Sequence, residues 1–296
     1  MNTDSWTLVD GHVHVHPQFS ASRLLDAAAA NLALAAERLH NCRQCVGVLL
    51  LAEAHGVDWF GDVRERALRG DAQLGSWLLH PASEHETLIA RSSWSPHLSS
   101  EYETPVVFNG GTLQTLFVIS GRQIVTSEHI EVLALLTCGQ FEDGRPLEET
   151  LEAVHSIGAL AVLPWGVGKW FGRRGRLVRR TLTRHTVSRP VLAGDNGGRP
   201  WCWPRPRIFA TAESSGATVL PGTDPLPLPD QASRVGSFGL AFVGRLPAEF
   251  PAAALRCRLA ETAPRRTSIW TFGEPERVSR FLRNQIRLRI RPEVAS

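Results

Sequence analysis

From Leu8 the stretch "LVDGHVHVHP" passes from an apolar start into strict alternation of histidine and valine. A period of two predicts a strand whose alternate side chains share a face, so His12, His14 and His16 point the same way. "SASRLLDAAAANLALAAERLHN" follows, rich in alanine and leucine, and predicts a helix capped by Ser20 or Ser22. "CVGVLLLAEAHG" predicts a buried strand ending at Glu53-Ala54-His55-Gly56, and "VDWFGDVRERALRG" a second, partly helical segment. Strand, helix, strand, helix in this order points to an α/β fold with a parallel sheet.

The middle of the chain is richer in strands: "SWLLHP", "ETLIARS", "TPVVFNGG", "LQTLFVISGRQIVTS" and "IEVLALLT" succeed one another between turn signals. "PLEETLEAVHSIGA" then predicts a helix that Pro146 starts and Gly158 ends. "LAVLPWG" and "RPVLAGDNGGRP" read as strands, "RIFATAESSG" as a helix, and "ATVLPGTDPLPL" as a strand ending at Thr223-Asp224. Proline and arginine clusters set off the segment after residue 246, which ends in "PERVSRFLRNQIRLRIR". The expected architecture is a distorted (β/α)7-8 barrel over residues 1–246, with a β-rich insertion at about 74–137. A short helical C-terminal extension, 247–296, packs its apolar side on the barrel. Functional residues then fall at the C-terminal ends of strands: His12 and His14, His55, Gln123 and Glu131, Asp195, and Asp224.

Composition narrows the class. The chain has 296 residues, 43% hydrophobic and 21% charged, which is ordinary for a globular protein. No apolar run approaches the roughly 20 residues that span a bilayer, and no secretory leader is expected. Five scattered cysteines suggest a reducing, cytoplasmic setting. The lone C-x-x-C of Cys42 and Cys45 reads as half-buried core thiols. A net charge of +3 does not indicate nucleic-acid binding, although Lys169 is the only lysine and arginine carries the remaining positive charge. There is no G-x-S-x-G elbow, P-loop or dinucleotide fingerprint.

Three histidines on one strand face, preceded by Asp10, make a candidate site for zinc, manganese or iron. The order "VDGHVH", "LLLAEAHG", "ISGRQIVTSEHIEVLAL", "LEAVHSIGALAVLPW", "LPGTDPLP" resembles the polymerase and histidinol phosphatase superfamily, and more broadly the metal-dependent amidohydrolases. The resemblance implies a distorted barrel that hydrolyses phosphoesters with up to three metals. It assigns His12 and His14 to the opening metal pair, His55 to the histidine closing the second strand motif, and Asp224 to the late aspartate. The chain departs from the pattern in four places. Gln123 stands where a bridging glutamate is usual, Glu131 where a histidine is usual, Leu163-Pro164-Trp165 replaces A-H-P, and Leu226 replaces the last histidine. One principal ion is therefore expected.

Zinc in a catalytic site takes about three protein ligands plus a water whose pKa falls to about 7. His12, His14 and Asp224 supply that set, with His55 or Glu131 as fourth ligand or general base and Gln123 as a further candidate ligand. His16 serves either the loop or a second, weaker site. Asp195, Asn196 and Arg199 in "AGDNGGRP" form a turn suited to an anion, and Arg173 in "KWFGRRGRLVRRTLTRH" can meet a phosphate. The expected ligand is a small anionic substrate, a phosphoester ahead of an amide or cyclic amide. A non-catalytic relative that binds an anion or a protein partner is the alternative.

Overall fold

A computed structural model describes residues 5–39, 44–69, 94–101, 106–109, 115–184, 189–260 and 269–290. The chain starts with β1 (Ser5–Val13), α1 (Ala21–Glu37), β2 (Gln44–Leu51) and α2 (Trp59–Leu68), the order that the hydrophobic pattern predicts. Short strands β3 (Ser95–His97), β4 (Val106–Asn109) and β5 (Thr115–Ile119) come next, then the antiparallel pair β6 (Gly121–Val125) and β7 (Glu131–Leu135). Alternating elements follow: α3 (Leu147–Ser156), β8 (Leu160–Pro164), α4 (Gly172–Thr183), β9 (Val191–Asn196), α5 (Arg207–Ser214) and β10 (Val219–Gly222). A 3-10 turn at Pro229–Arg234 leads to β11 (Gly239–Val243), α6 (Pro251–Ala260), β12 (Ile269–Phe272) and α7 (Val278–Ile290).

The strands form two mixed sheets, ordered β12-β11-β1-β2-β5-β4-β3 and β10-β9-β8-β7-β6. All nine residues of β1 are buried, as expected of a central strand covered on both faces. Leu24, Leu25, Ala28 and Leu32 of α1 pack with Leu8, Leu49 and Leu51 on one face of the first sheet. Between the sheets, Val9, Val48 and Leu50 meet Leu133, Leu160, Val162 and Leu192, and Leu255 and Leu259 of α6 join this cluster. Helices α3, α4 and α5 cover the outer face of the second sheet through Val154, Val178, Leu182 and Phe209. Each leucine so buried contributes roughly 1.5–3 kcal/mol relative to an exposed one.

The expected closed barrel is not formed, and the fold is α+β with two separate sheets. The reason lies in the edges of β1 and β2. β11, which the hydrophobic pattern did not single out, runs antiparallel along β1 from Trp6↔Val243 to Val9↔Leu240. β5 runs along the free edge of β2 from Gly47↔Leu116 to Leu50↔Ile119. With both edges taken, the second sheet does not continue the first by strand pairing; it packs on the first and meets it at strand tips. The β-rich middle is likewise not an insertion into a barrel. Its β3, β4 and β5 extend the first sheet, whereas β6 and β7 begin the second. Residues 74–93 of that segment lie outside the described residues.

The C-terminal segment departs from expectation too. β12 is the outer strand of the first sheet. α7 leaves Leu282, Ile286 and Ile290 exposed, and the residue it buries is Asn284, whose amide donates to Glu276 (3.1 Å). Cys45 is half-buried and disulfide-bonded rather than a free thiol; Cys42 lies outside the described residues. No described helix is long and apolar enough to cross a membrane.

Candidate metal centre

The tip of β10 meets the tip of β1 at a crossing that two glycines make possible. A Cβ on Gly222 would lie 2.3 Å from the backbone nitrogen of His12, and one on Gly11 would lie 2.5 Å from Leu220. Such overlaps exclude any side chain, so the two strands approach closely only with glycine there. The Asp224 amide donates to the His12 carbonyl (2.8 Å), and Asp224 bends into the left-handed region (φ 44°). Aspartate tolerates that conformation better than most residues, and the bend turns its carboxylate back toward β1.

Asp10, fully buried one turn of the alternation before His12, holds the crossing from beneath. Its carboxylate accepts from the Thr223 amide (2.9 Å) and hydroxyl (2.6 Å), the Gly236 amide (2.8 Å) and the His12 amide (3.3 Å). Burial raises its pKa to about 6, against the pull of these four donors.

Three side chains converge above it. His12 Nε2 lies 3.0 Å from His14 Nε2, and Asp224 Oδ1 lies 3.7 Å from the first and 3.4 Å from the second. His12 is buried, whereas His14 and Asp224 reach the surface. Two Nε2 atoms at that separation share one proton or one cation, because both cannot carry hydrogen. The circle through the three ligand atoms has a radius of about 2.0 Å, close to the bonds of about 2.0–2.2 Å that zinc makes with imidazole and carboxylate. Among the described residues these three form the one group of histidine, cysteine and acidic side chains clustered tightly enough to hold an ion.

The electrostatics fit a cation. Burial drives His12 down to about 4, so the ring is neutral, as a ligand must be. Burial also works to raise Asp224, but the His12 and His14 imidazoles and the Lys169 ammonium hold its carboxyl well below the ordinary range. Asn196 donates its side-chain amide to the other Asp224 oxygen, Oδ2, which orients the carboxylate. His16 Nε2 donates to the Pro225 carbonyl (2.9 Å), and burial keeps its pKa at about 4. It orders the loop after Asp224 and takes no part in the cluster.

The other expected site residues stand elsewhere. His55 is exposed on the turn after β2 and lines a separate cavity with Gln140, Phe141 and Arg145. Gln123 faces a neighbouring cavity with Glu53, Arg122 and His55. Neither joins the ligand cluster. Glu131, at the start of β7, pairs with Lys169 from the loop after β8. Asp195 and Arg199, expected to meet an anion, satisfy each other in a buried two-pronged pair (both 3.1 Å), and Arg199 also donates to the Trp203 carbonyl (3.0 Å). Arg173 is exposed on α4. His155 bonds the Pro190 carbonyl (3.2 Å), a structural role, while His80 and His85 lie outside the described residues.

Sequence reasoning missed Lys169. Its charge acts on both His12 and Asp224, and its stem lies over Gly166, where a Cβ would meet Lys169 Cδ at 2.6 Å. A single lysine among so many arginines was the available signal. Also missed was a second crossing, where the tip of β6 meets the end of β2. The Glu53 amide donates to Gly121 (3.1 Å) and the Gln123 amide to Glu53 (2.9 Å). The Glu53 carboxylate is buried on Arg122 Nη1 (2.9 Å) and the Phe60 amide (2.9 Å). Arg122 further donates to the Val57 carbonyl (2.6 Å) and to Asp58 (2.7 Å).

No protein-family model matches the sequence, and no curated protein matches it. Among solved structures the fold is similar to the crystal structure of PsfC from Pseudomonas syringae PB-5123, with a TM-score of 0.50 at 14% identity over 97% of each chain. At that identity the likeness concerns the fold alone.

Proposed function

We propose that the protein is a metal-dependent hydrolase that holds one principal divalent ion with His12, His14 and Asp224. The convergence of two imidazole nitrogens and a carboxylate oxygen on one point carries this reading. A zinc, manganese or iron ion there supplies Lewis acidity and makes a bound water acidic enough to serve as nucleophile near neutral pH. The chain's own residues do the rest. Asn196 fixes the angle of the Asp224 carboxylate, and the Asp10 cluster holds the tips of β1 and β10 together. Lys169 pairs with Glu131, and its charge also acts on His12 and Asp224. A phosphoester stands ahead of an amide as substrate on the motif resemblance and the supply of arginine.

The test is metal content per purified chain, read together with hydrolysis of p-nitrophenyl phosphate, for wild type and a His12→Ala, His14→Ala double variant. About one ion and measurable hydrolysis in the wild type, with neither in the variant, is the expected result. No bound ion, and none taken up on titration, overturns it. An ion-loaded protein that hydrolyses nothing across phosphoester and amide panels leaves the second reading, a binder of an anionic ligand. The placement of His55 and Gln123 away from the cluster favours that alternative.

A further inference from the structure

We infer that the cleft between α4 and α5 binds a nucleotide, that is, a planar heteroaromatic ring joined to phosphate. The cleft has a volume of about 500 Å³, within the range of small-molecule sites. Trp165, Trp170 and Trp203 form its walls. Each indole is braced by another aromatic ring: Trp165 and Trp203 meet edge to face at 6.2 Å, and Trp170 leans on Phe209 at 5.8 Å. Trp165 is buried, whereas Trp170 and Trp203 are only half-buried and present ring surface to the opening. Rigid, partly exposed indoles are platforms on which a base stacks, whatever its identity.

The rim selects charge. Arg176, Arg179 and Arg207 line the cleft, are exposed, and have no carboxylate partner among the described residues. Arg205 on the same rim is already neutralised by Glu213 through two hydrogen bonds (3.0 and 2.6 Å). Among the described residues, no acidic side chain lines the cleft. Three unneutralised guanidinium groups beside an apolar aromatic slot call for an anion with a flat ring, and arginine is well shaped for phosphate. The opposite side of α4 shows what is missing elsewhere. Arg173, Arg174 and Arg180, with Arg176 shared between the two, border a wider depression of about 800 Å³ that also contains Glu128 and has no aromatic wall among the described residues. A phosphate finds charge there, but a base finds nothing to stack on.

None of the three metal-ligand residues lines this cleft, so the inference stands apart from the hydrolase reading. Calorimetric titration of the full chain with AMP and ADP tests it, against adenosine, inorganic phosphate and a single-stranded oligodeoxynucleotide. We expect one nucleotide per chain, bound at least tenfold tighter than adenosine or phosphate, with quenching of tryptophan fluorescence. An Arg176→Ala, Arg179→Ala variant should weaken the nucleotide at least tenfold with an unchanged unfolding midpoint, since neither side chain holds the fold. The His12→Ala, His14→Ala variant should bind as the wild type does. Nucleotide binding no tighter than that of phosphate, or unchanged by loss of the two arginines, overturns the inference. Loss of binding in the histidine variant moves the nucleotide to the metal centre and also overturns it. Binding of the oligonucleotide without AMP or ADP overturns it in favour of a polyanion track along α4.

Discussion

The two crossings between the sheets are built alike and end differently. Each joins a strand tip of the first sheet to one of the second, and each buries a carboxylate whose pKa burial raises: Asp10 to about 6, Glu53 to about 7. At the β2–β6 crossing a guanidinium lies inside the protein beside the carboxylate. Burial still outweighs that ion pair in setting the Glu53 pKa, but the charges answer each other and the crossing is closed. At the β1–β10 crossing Asp10 is used up on backbone amides and a hydroxyl. Above it Asp224, His12 and His14 offer electron pairs to one point. The first crossing is a structural joint. The second brings three candidate ligand atoms to one point. The difference teaches that the two buried acids of this fold have unlike surroundings: Glu53 lies against a guanidinium, whereas Asp10 underlies the group of His12, His14 and Asp224.

Breaking the closed crossing should give the largest effect on stability. Arg122→Leu strands Glu53 and is expected to cost about 3 kcal/mol at pH 8 in urea unfolding, with metal content of the folded protein unchanged. Loss of metal together with stability would show that the crossings are not independent. At the open crossing, Gly222→Ala forces β10 away from His12. We expect a loss of about 1–3 kcal/mol and a protein that no longer retains its ion on dialysis. A smaller and more selective change is Asn196→Ala, which frees Asp224 Oδ2. Metal affinity should fall by about 10- to 100-fold, while thermal unfolding moves by only about 1 kcal/mol.

The smallest effect sharpens the assignment of Glu53. Its folded pKa of about 7 lies above the ordinary 4.5, so the folded chain holds the proton more tightly than the unfolded one. Relative to Glu53→Gln, the stability that Glu53 contributes is complete below about 4.5 and is lost as pH rises through about 7. The gap in melting temperature between wild type and variant should therefore narrow or reverse from about pH 5 to pH 8. A gap that widens over this range would mean the Arg122 pair governs instead.

Residue type and spacing made some of the site legible. Histidines at alternate strand positions share a face by geometry, so His12 and His14 emerge from pattern, while Asp224 follows from the resemblance carried by "LPGTDPLP". His55 and Gln123 were misplaced because a closed barrel would turn every strand end toward one centre. With the tip of β2 sealed by Glu53 and Arg122, His55 passes beyond the seal to solvent. Asp195 and Arg199, four apart in a turn, gave no local sign that each would consume the other. Asn196 was picked out for the wrong partner: it meets Asp224 rather than an incoming anion.

What the sequence by itself determined is local. Helix and strand periods, the histidine alternation and the single lysine are properties of neighbouring residues, and short-range sterics and hydrophobic pattern decide them. Which strand takes which edge was decided only in three dimensions. β11 and β5 compete with β10 and β6 for the sides of β1 and β2, and that competition turns on long-range packing that no window of sequence contains. Its outcome keeps the two sheets from joining by strand pairing and brings His12, His14 and Asp224 together where β1 meets β10.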